Sequence, residues 1–331
     1  MIETIYIEEQ IANHPRTLEI LARFPEATRI HCERYGEIFN RKAQSFRLQK
    51  KRPALILAKK HKGFVLPTPE AYGIGAQQNY YFSHMMNCLY DCRYCFLQGM
   101  YQSAHYVLFV NYEDFAKEIE AKIQETEEEI HFFSGYDCDS LALEPVTKFL
   151  DYFLPVFRKN PHALLEIRTK STQIRTLLNT EPFDNCVLAW SFTPTEIAAA
   201  LEHKTPSVER RIDAITKLQE KGWRIGLRFD PLIYSSEYKS QYQKLFTDTL
   251  HLCDPELLHS VSLGSFRLPK GFFKSLKNMY PSEKLFASPL EEEDGMFSYK
   301  TQIRSEMLNF CSKEILNHIS EEKFFPCQDV L

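Results

Sequence analysis

At 331 residues the chain is long enough for one large α/β barrel-type domain or two smaller ones. Its 44% hydrophobic and 25% charged residues are ordinary for a soluble globular protein, and a net charge of −4 does not by itself suggest a nucleic-acid partner. No apolar run approaches the roughly 18 residues of a membrane span, so no transmembrane helix is expected.

Residues 1–40 read as helix, with Ile11, Leu18, Ile20, Leu21 and Phe24 as a rough stripe and Pro15 and Pro25 as punctuation. Glu3, Glu8 and Glu9 interrupt any apolar core there, which argues against a secretory signal. Nine cysteines in a chain of this size fit a reducing cytoplasm better than a disulfide framework. Between Arg41 and Lys62 stand nine Lys or Arg and no acid, a local basic stripe that would suit a phosphate backbone, although a basic stretch alone is more often a solvated face. Ala54–Ala58 is a short apolar strand or buried helical turn. Pro67, Pro69, Gly73 and Gly75 then mark a loop.

That loop leads to Tyr80-Tyr81-Phe82 and on to Cys88, Cys92 and Cys95, three thiols at spacing C-x3-C-x2-C. Short spacers let three thiolates converge on one inorganic centre, as in iron–sulfur proteins. A four-iron cluster held by three thiolates leaves one iron open to a small molecule, by the logic that separates catalytic from structural zinc sites. The same residues fit two plainer roles. The three could be ordinary buried thiols, or His84 could complete a Cys3His zinc site in a nucleic-acid-binding module.

After the cysteines, strand and helix signals alternate. Val107–Val110 is a short extended run, and residues 113–129 form a helix with an acidic outer face. Residues 130–133 are a strand and Val146, Phe149, Leu150, Phe153 and Phe157 a helix. Strands follow at 164–168, 187–192, 224–229 and 261–264, with helices at 207–221 and 238–252 between the later ones. Such alternation implies parallel βαβ units. With the stretch before Cys88 as the first strand, about six repeats lie between residues 79 and 265, too few to close an eight-fold barrel.

The motif with Tyr94 before its third cysteine resembles the signature of radical S-adenosylmethionine enzymes. The longer run Cys-x3-Cys-x-Tyr-Cys-Phe-Leu-Gln, followed by Phe109-Val110-Asn111, resembles the spore photoproduct lyase family of DNA repair enzymes. The resemblance, which covers about residues 77–280, implies a partial (β/α)6 TIM-type barrel at 77–265. An N-terminal helical and basic region (1–76) and a C-terminal region (266–331) that helps hold substrate would flank it. It further implies a [4Fe-4S] cluster on Cys88, Cys92 and Cys95, whose open iron chelates S-adenosylmethionine. Other implied partners are damaged DNA, in the form of a thymine dimer, and a reducing donor such as flavodoxin or ferredoxin.

By the same resemblance Tyr94, Asp139, Ser140, Lys170 and Ser191 bind or frame S-adenosylmethionine, and Arg211, beside Arg210, matches the family pattern. Lys170 would pair with the methionyl carboxylate, in keeping with its chemistry as a flexible point charge. Two departures stand out. Tyr136 occupies the position of the family's hydrogen-donating cysteine, with Cys138 two residues later, and both are candidate catalytic residues. Phe96 replaces a tyrosine credited with radical relay. A radical enzyme with a different substrate, outside nucleic acids, is therefore a second expectation. From the residues themselves, Arg228 and Asp230, flanking Phe229, would point into or toward the barrel mouth or, alternatively, simply pair with each other.

Overall fold

The protein is described from a computed structural model that covers residues 2–69 and 72–327. Two sheets dominate it. In the larger, Gln78–Phe82, Ile130–Ser134, Ala163–Thr169, Cys186–Ser191, Arg224–Leu232 and Leu258–Ser265 run parallel in that order. These six strands make the expected partial barrel. Leu66–Pro67 extends one edge antiparallel and Phe324–Pro326 the other in parallel. The central strands are buried along nearly their whole length, as parallel strands covered by helices must be. Val208–Gln219 is typical of that cover: it buries Val208, Arg211, Ala214, Ile215 and Leu218, and the Ser207 side chain caps its start.

The second sheet departs from expectation. Residues 1–40 are not a helical run but strand Thr4–Glu8, helix Pro15–Arg23 and strand Thr28–Cys32. Ile5 and Ile7 are buried at a period of two, which favours a strand over a helix. These strands join Leu55–Ala58 and Tyr106–Phe109 in a parallel sheet closed at one edge by antiparallel Met85–Met86. The Val107–Val110 run is thus a strand, but of this sheet rather than the barrel. All four of its strand residues are buried, so its composition cannot say which sheet it joins.

The chain therefore leaves the barrel at Phe82, touches the edge of the N-terminal sheet at Met85–Met86, forms the cysteine segment and re-enters that sheet at Tyr106. Both sheets anchor the segment. At the other end, Leu290–Glu293 and Met296–Tyr299 form a hairpin across Asp294 and Gly295, both at positive φ (47° and 80°). Asp-Gly is a favoured pair for such a turn. Among the described residues no helix is long and apolar enough to cross a membrane.

Candidate metal centre and adjoining cavity

The cysteine segment is pinned from several distant parts of the chain. Asn87 turns it at φ 69°, and its side-chain amide donates to the carbonyls of Ser103 (2.6 Å) and His105 (2.8 Å). The buried Lys50 ammonium donates to the carbonyls of Cys88 and Tyr90, both at 2.9 Å. Asp91–Cys92 pairs antiparallel with Glu202–His203, and the Gln98 amide donates to the Cys92 carbonyl at 2.7 Å. The short helix Leu97–Met100 lies so close to helix Lys270–Met279 that a Cβ on Gly99 would sit 2.5 Å from Phe272 Cβ.

Burial, and then nearby Asp139 and Cys95, push the Cys88 thiol up to about 12; Cys92 and Cys95 are raised too, burial again leading. Cys88 feels the charge of Cys95, and Cys92 that of both other thiols. Lys50 opposes the rise at Cys88 and Cys95, and Lys170 at Cys92 and Cys95. The Tyr90 N–H donates to Cys88 Sγ at 3.4 Å. Interacting thiols with two cations whose charge favours their ionised form, and an N–H directed at Cys88, suit an anionic cluster whose binding would release their protons.

A zinc site has less support. Among the described residues no three His, Cys, Asp or Glu side chains are gathered as a ready ligand set for a single metal ion, which weighs on the three thiols and on zinc alike, so His84 is what tells the two apart. His84, its proposed fourth ligand, is fully buried against Phe149 (4.4 Å between ring centroids) and Tyr112 (6.1 Å). Burial lowers its pKa to about 3, and neither ring nitrogen has a hydrogen-bond partner.

Beside the cysteines, Glu202 gathers several of the expected cofactor residues. Its carboxylate accepts from the Tyr94 hydroxyl, from Thr193 Oγ1 (3.1 Å) and from the Arg211 guanidinium, with Lys170 Nζ 3.7 Å away. Arg211 also donates to the Ser191 carbonyl at 3.2 Å. Glu202 and Arg211 are both buried. Burial pushes the Glu202 carboxyl up, but Lys170 and Arg211 outweigh it and hold the group below its usual range. Tyr94, Lys170 and Arg211 thus meet around a carboxylate that sequence reasoning missed, because no local pattern marks Glu202, while Ser191 joins only through its backbone carbonyl on Arg211.

Asp139 is an internal clip. One carboxylate oxygen accepts from Leu141 N (3.0 Å), Ala142 N (2.8 Å) and Thr169 Oγ1 (2.7 Å), the other from Lys170 N (2.6 Å). It joins two strand-end loops and orients Lys170. Ser140 Oγ lies 2.7 Å from Ser134 Oγ, so both hydroxyls are engaged inside the barrel. Gly135, at φ 88°, lets the backbone pass here: a Cβ would meet Ser140 Oγ at 2.7 Å and the Arg168 carbonyl at 2.8 Å.

On the other side of the cysteine segment lies a cavity of about 550 Å³, lined by Tyr94, Cys95 and Phe96 and, across it, by Tyr136, Arg168, Arg267 and Phe272. Tyr136 stacks on Tyr81 (4.6 Å, 17° between planes), and its buried hydroxyl has no hydrogen-bond partner. Phe96 is 40% exposed on the wall. Cys138, the other candidate catalytic residue, is buried and does not line the cavity; burial and the neighbouring Cys88 hold its thiol well above the usual range.

Arg228 and Asp230 do not pair with each other. Arg228 donates to both oxygens of buried Glu166 (3.2 and 2.7 Å), which also takes Arg168 (2.9 and 2.8 Å). Asp230 instead meets Arg267 (3.3 Å) and Cys327, whose Sγ is 3.7 Å from Asp230 Oδ2. Residues 166 and 168 are charged at alternate positions of an apolar strand, a period-two signal that could have marked them as inward-facing. Nothing local points to Cys327.

Comparison with known proteins agrees with this geometry. The sequence profile of the family described as Spore photoproduct lyase matches residues 46–308. The spore photoproduct lyase of Clostridium acetobutylicum is 24% identical over 309 residues, covering 90% of this chain and 88% of that protein. That of Bacillus subtilis is 22% identical over 216 residues, covering 64% of this chain and 62% of that protein. A solved structure of a doubly substituted spore photoproduct lyase with bound AdoMet and dinucleoside spore photoproduct superposes with a TM-score of 0.85. It is 16% identical in sequence and is covered to 98% on both sides. With the profile spanning most of its length, the chain belongs to the spore photoproduct lyase family.

Proposed function

We propose that this protein is a radical S-adenosylmethionine lyase that repairs a methyl-bridged thymine dimer in DNA. Cys88, Cys92 and Cys95 would hold a [4Fe-4S] cluster, and a low-potential one-electron donor in the cytoplasm would reduce it. Such a cluster, when bound, would supply the one electron needed to split the sulfonium of S-adenosylmethionine into methionine and a 5′-deoxyadenosyl radical. The observation that carries this reading is the buried Glu202 network, which brings Tyr94, Lys170 and Arg211 together beside the three thiols.

Lys170 Nζ has only a 3.7 Å contact with Glu202, a loose pair that leaves donors for the methionyl carboxylate. Tyr94, locked to Glu202, packs beneath that ammonium, its ring 5.7 Å away. Asp139 and Ser140 act as framing residues, their side chains being engaged within the protein. At the cavity, Arg168 and Arg267 suit the phosphate and polar edges of a dinucleotide, while Tyr81, Tyr136, Phe96 and Phe272 offer apolar faces to bases. The lesion would leave the base stack to enter, at a cost of a few kcal/mol. The bound dinucleoside in the solved relative supports this use of the fold. Tyr136, whose hydroxyl proton has no competing acceptor, is the group proposed to return a hydrogen atom to the product. Cys138 is proposed to shape the back of the cluster segment.

Phe96 and Tyr136 on the cavity wall favour one second reading, a radical enzyme of the same kind acting on a different substrate. Incubation of reduced enzyme with dinucleotide photoproduct separates the two. Release of thymine monomers supports repair, whereas 5′-deoxyadenosine without repair supports the alternative. Cys92→Ala should abolish both products together with bound iron and sulfide, and a variant that keeps its iron would overturn the cluster assignment.

A further inference from the structure

The cysteine segment has a second face. Asp91 and Arg93 line a cleft of about 450 Å³ that shares no lining residue with the 550 Å³ cavity on the side of Tyr94, Cys95 and Phe96. Its walls come from three parts of the chain: Arg47, Lys50 and Lys51; His203 and Lys204; and the end of the helix that packs on Gly99, with Tyr280 and Glu283. Five cations face two carboxylates there, on a protein whose net charge is −4.

The cations divide by task. Arg93 is paired with Asp91 (2.6 Å) and Glu283 (3.8 Å) and lies over the Tyr280 ring (4.0 Å). Lys50 is turned inward onto the Cys88 and Tyr90 carbonyls. Arg47, Lys51 and Lys204 are exposed and make no ion pair among the described residues. The basic run of the N-terminal region is therefore divided: this part faces the cleft, while Lys60 lies over the Phe109 and Phe115 rings.

Resting on the cluster assignment above, we propose that this cleft is the docking site of an acidic one-electron carrier protein of the flavodoxin or ferredoxin class. The carrier gives up one electron and the cluster takes it; no bond is made or broken. The position suits the task, because the cleft wall is the same stretch of backbone that carries Cys92 and Cys95. An electron can enter there while the cavity on the other face stays filled. Redox encounters use small, charged surfaces with steered association, and a basic patch on an acidic body gives such steering. A DNA backbone would also meet these cations, but the cavity has its own, Arg168 and Arg267, and a strand held at the cleft touches no wall of it.

The test uses holoenzyme with a full iron complement and reduced flavodoxin as the probe. Cluster absorbance is followed in stopped flow for wild type, Lys51→Glu and Arg47→Glu/Lys51→Glu. The double variant should lose about tenfold or more in the bimolecular reduction rate at low salt, and also much of the wild type's salt dependence. Reduction by photoreduced deazaflavin, a small neutral donor, and affinity for DNA should stay at wild-type values. Arg47→Gln/Lys51→Gln should fall between, should the reversal disturb folding. An unchanged flavodoxin rate overturns the proposal, as does a loss of DNA affinity with unchanged reduction, which would give the cleft to nucleic acid. A colourless, iron-free wild type would instead remove the cluster assignment beneath it.

Discussion

Glu166→Gln tests the electrostatic core of the barrel. The Glu166 carboxylate is fully buried and receives four hydrogen bonds from Arg228 and Arg168, and Arg228 is itself only 1% exposed. Burial pushes the carboxyl up, but Arg228 and then Arg168 more than reverse this, leaving it at about 2 instead of 4.5. A displacement of that size corresponds to about 3 kcal/mol of stability at neutral pH. The independent expectation for removing one partner of a buried ion pair is about 3–5 kcal/mol. The glutamine variant, similar in shape but uncharged, should therefore lose about 3 kcal/mol in anaerobic urea unfolding at pH 7.

The pH dependence gives a sharper check. A carboxyl with a depressed folded pKa contributes fully above its unfolded value of about 4.5, and that contribution is lost as pH falls through the folded value near 2. The gap between wild type and variant should be constant from pH 7 to about 5 and shrink steadily below that. A gap under about 1 kcal/mol at pH 7, or one that does not change between pH 5 and 3, would refute the assignment of Glu166 as the charge that holds Arg228 in the core.

Four other outcomes follow from the geometry. Gly99→Ala places a methyl 2.5 Å from Phe272 Cβ and 2.7 Å from its Cα, so it should cost about 1–3 kcal/mol and loosen the helix behind the cysteines; thermal unfolding within a degree of wild type would contradict that packing. Tyr136→Phe should keep the fold and the cleavage of S-adenosylmethionine but shift products toward unquenched or adduct species, read by mass spectrometry. Cys138→Ala, which empties a buried position away from the cavity, should lower stability and leave the product pattern alone; altered products would return the hydrogen-donor role to that thiol. Glu202→Gln should weaken S-adenosylmethionine binding by about tenfold or more, because Arg211 and Lys170 lose the charge that sets their positions, and unchanged affinity by calorimetry would separate the network from the cofactor.

The sequence by itself determined those features whose partners lie close along the chain. Three thiols within eight residues share one short segment wherever it is placed, and apolar runs that mostly alternate with amphipathic helices favour parallel βαβ units. Asp294-Gly295 likewise carries its turn signal within two adjacent residues. Tertiary structure alone decided the rest. Tyr106–Phe109 is apolar enough for either sheet, and only the strand beside it, Leu55–Ala58, settles which. Arg228 has a near neighbour in Asp230 yet pairs with Glu166, because the barrel wall turns residues 166 and 228 inward together while Asp230 opens toward Arg267. Glu202 meets Tyr94 from a distant part of the chain, and His84 is taken up by aromatic packing rather than by the thiols that follow it in sequence. Such pairings follow from burial and from which groups face one enclosed volume, and neither is written in the local order of residues.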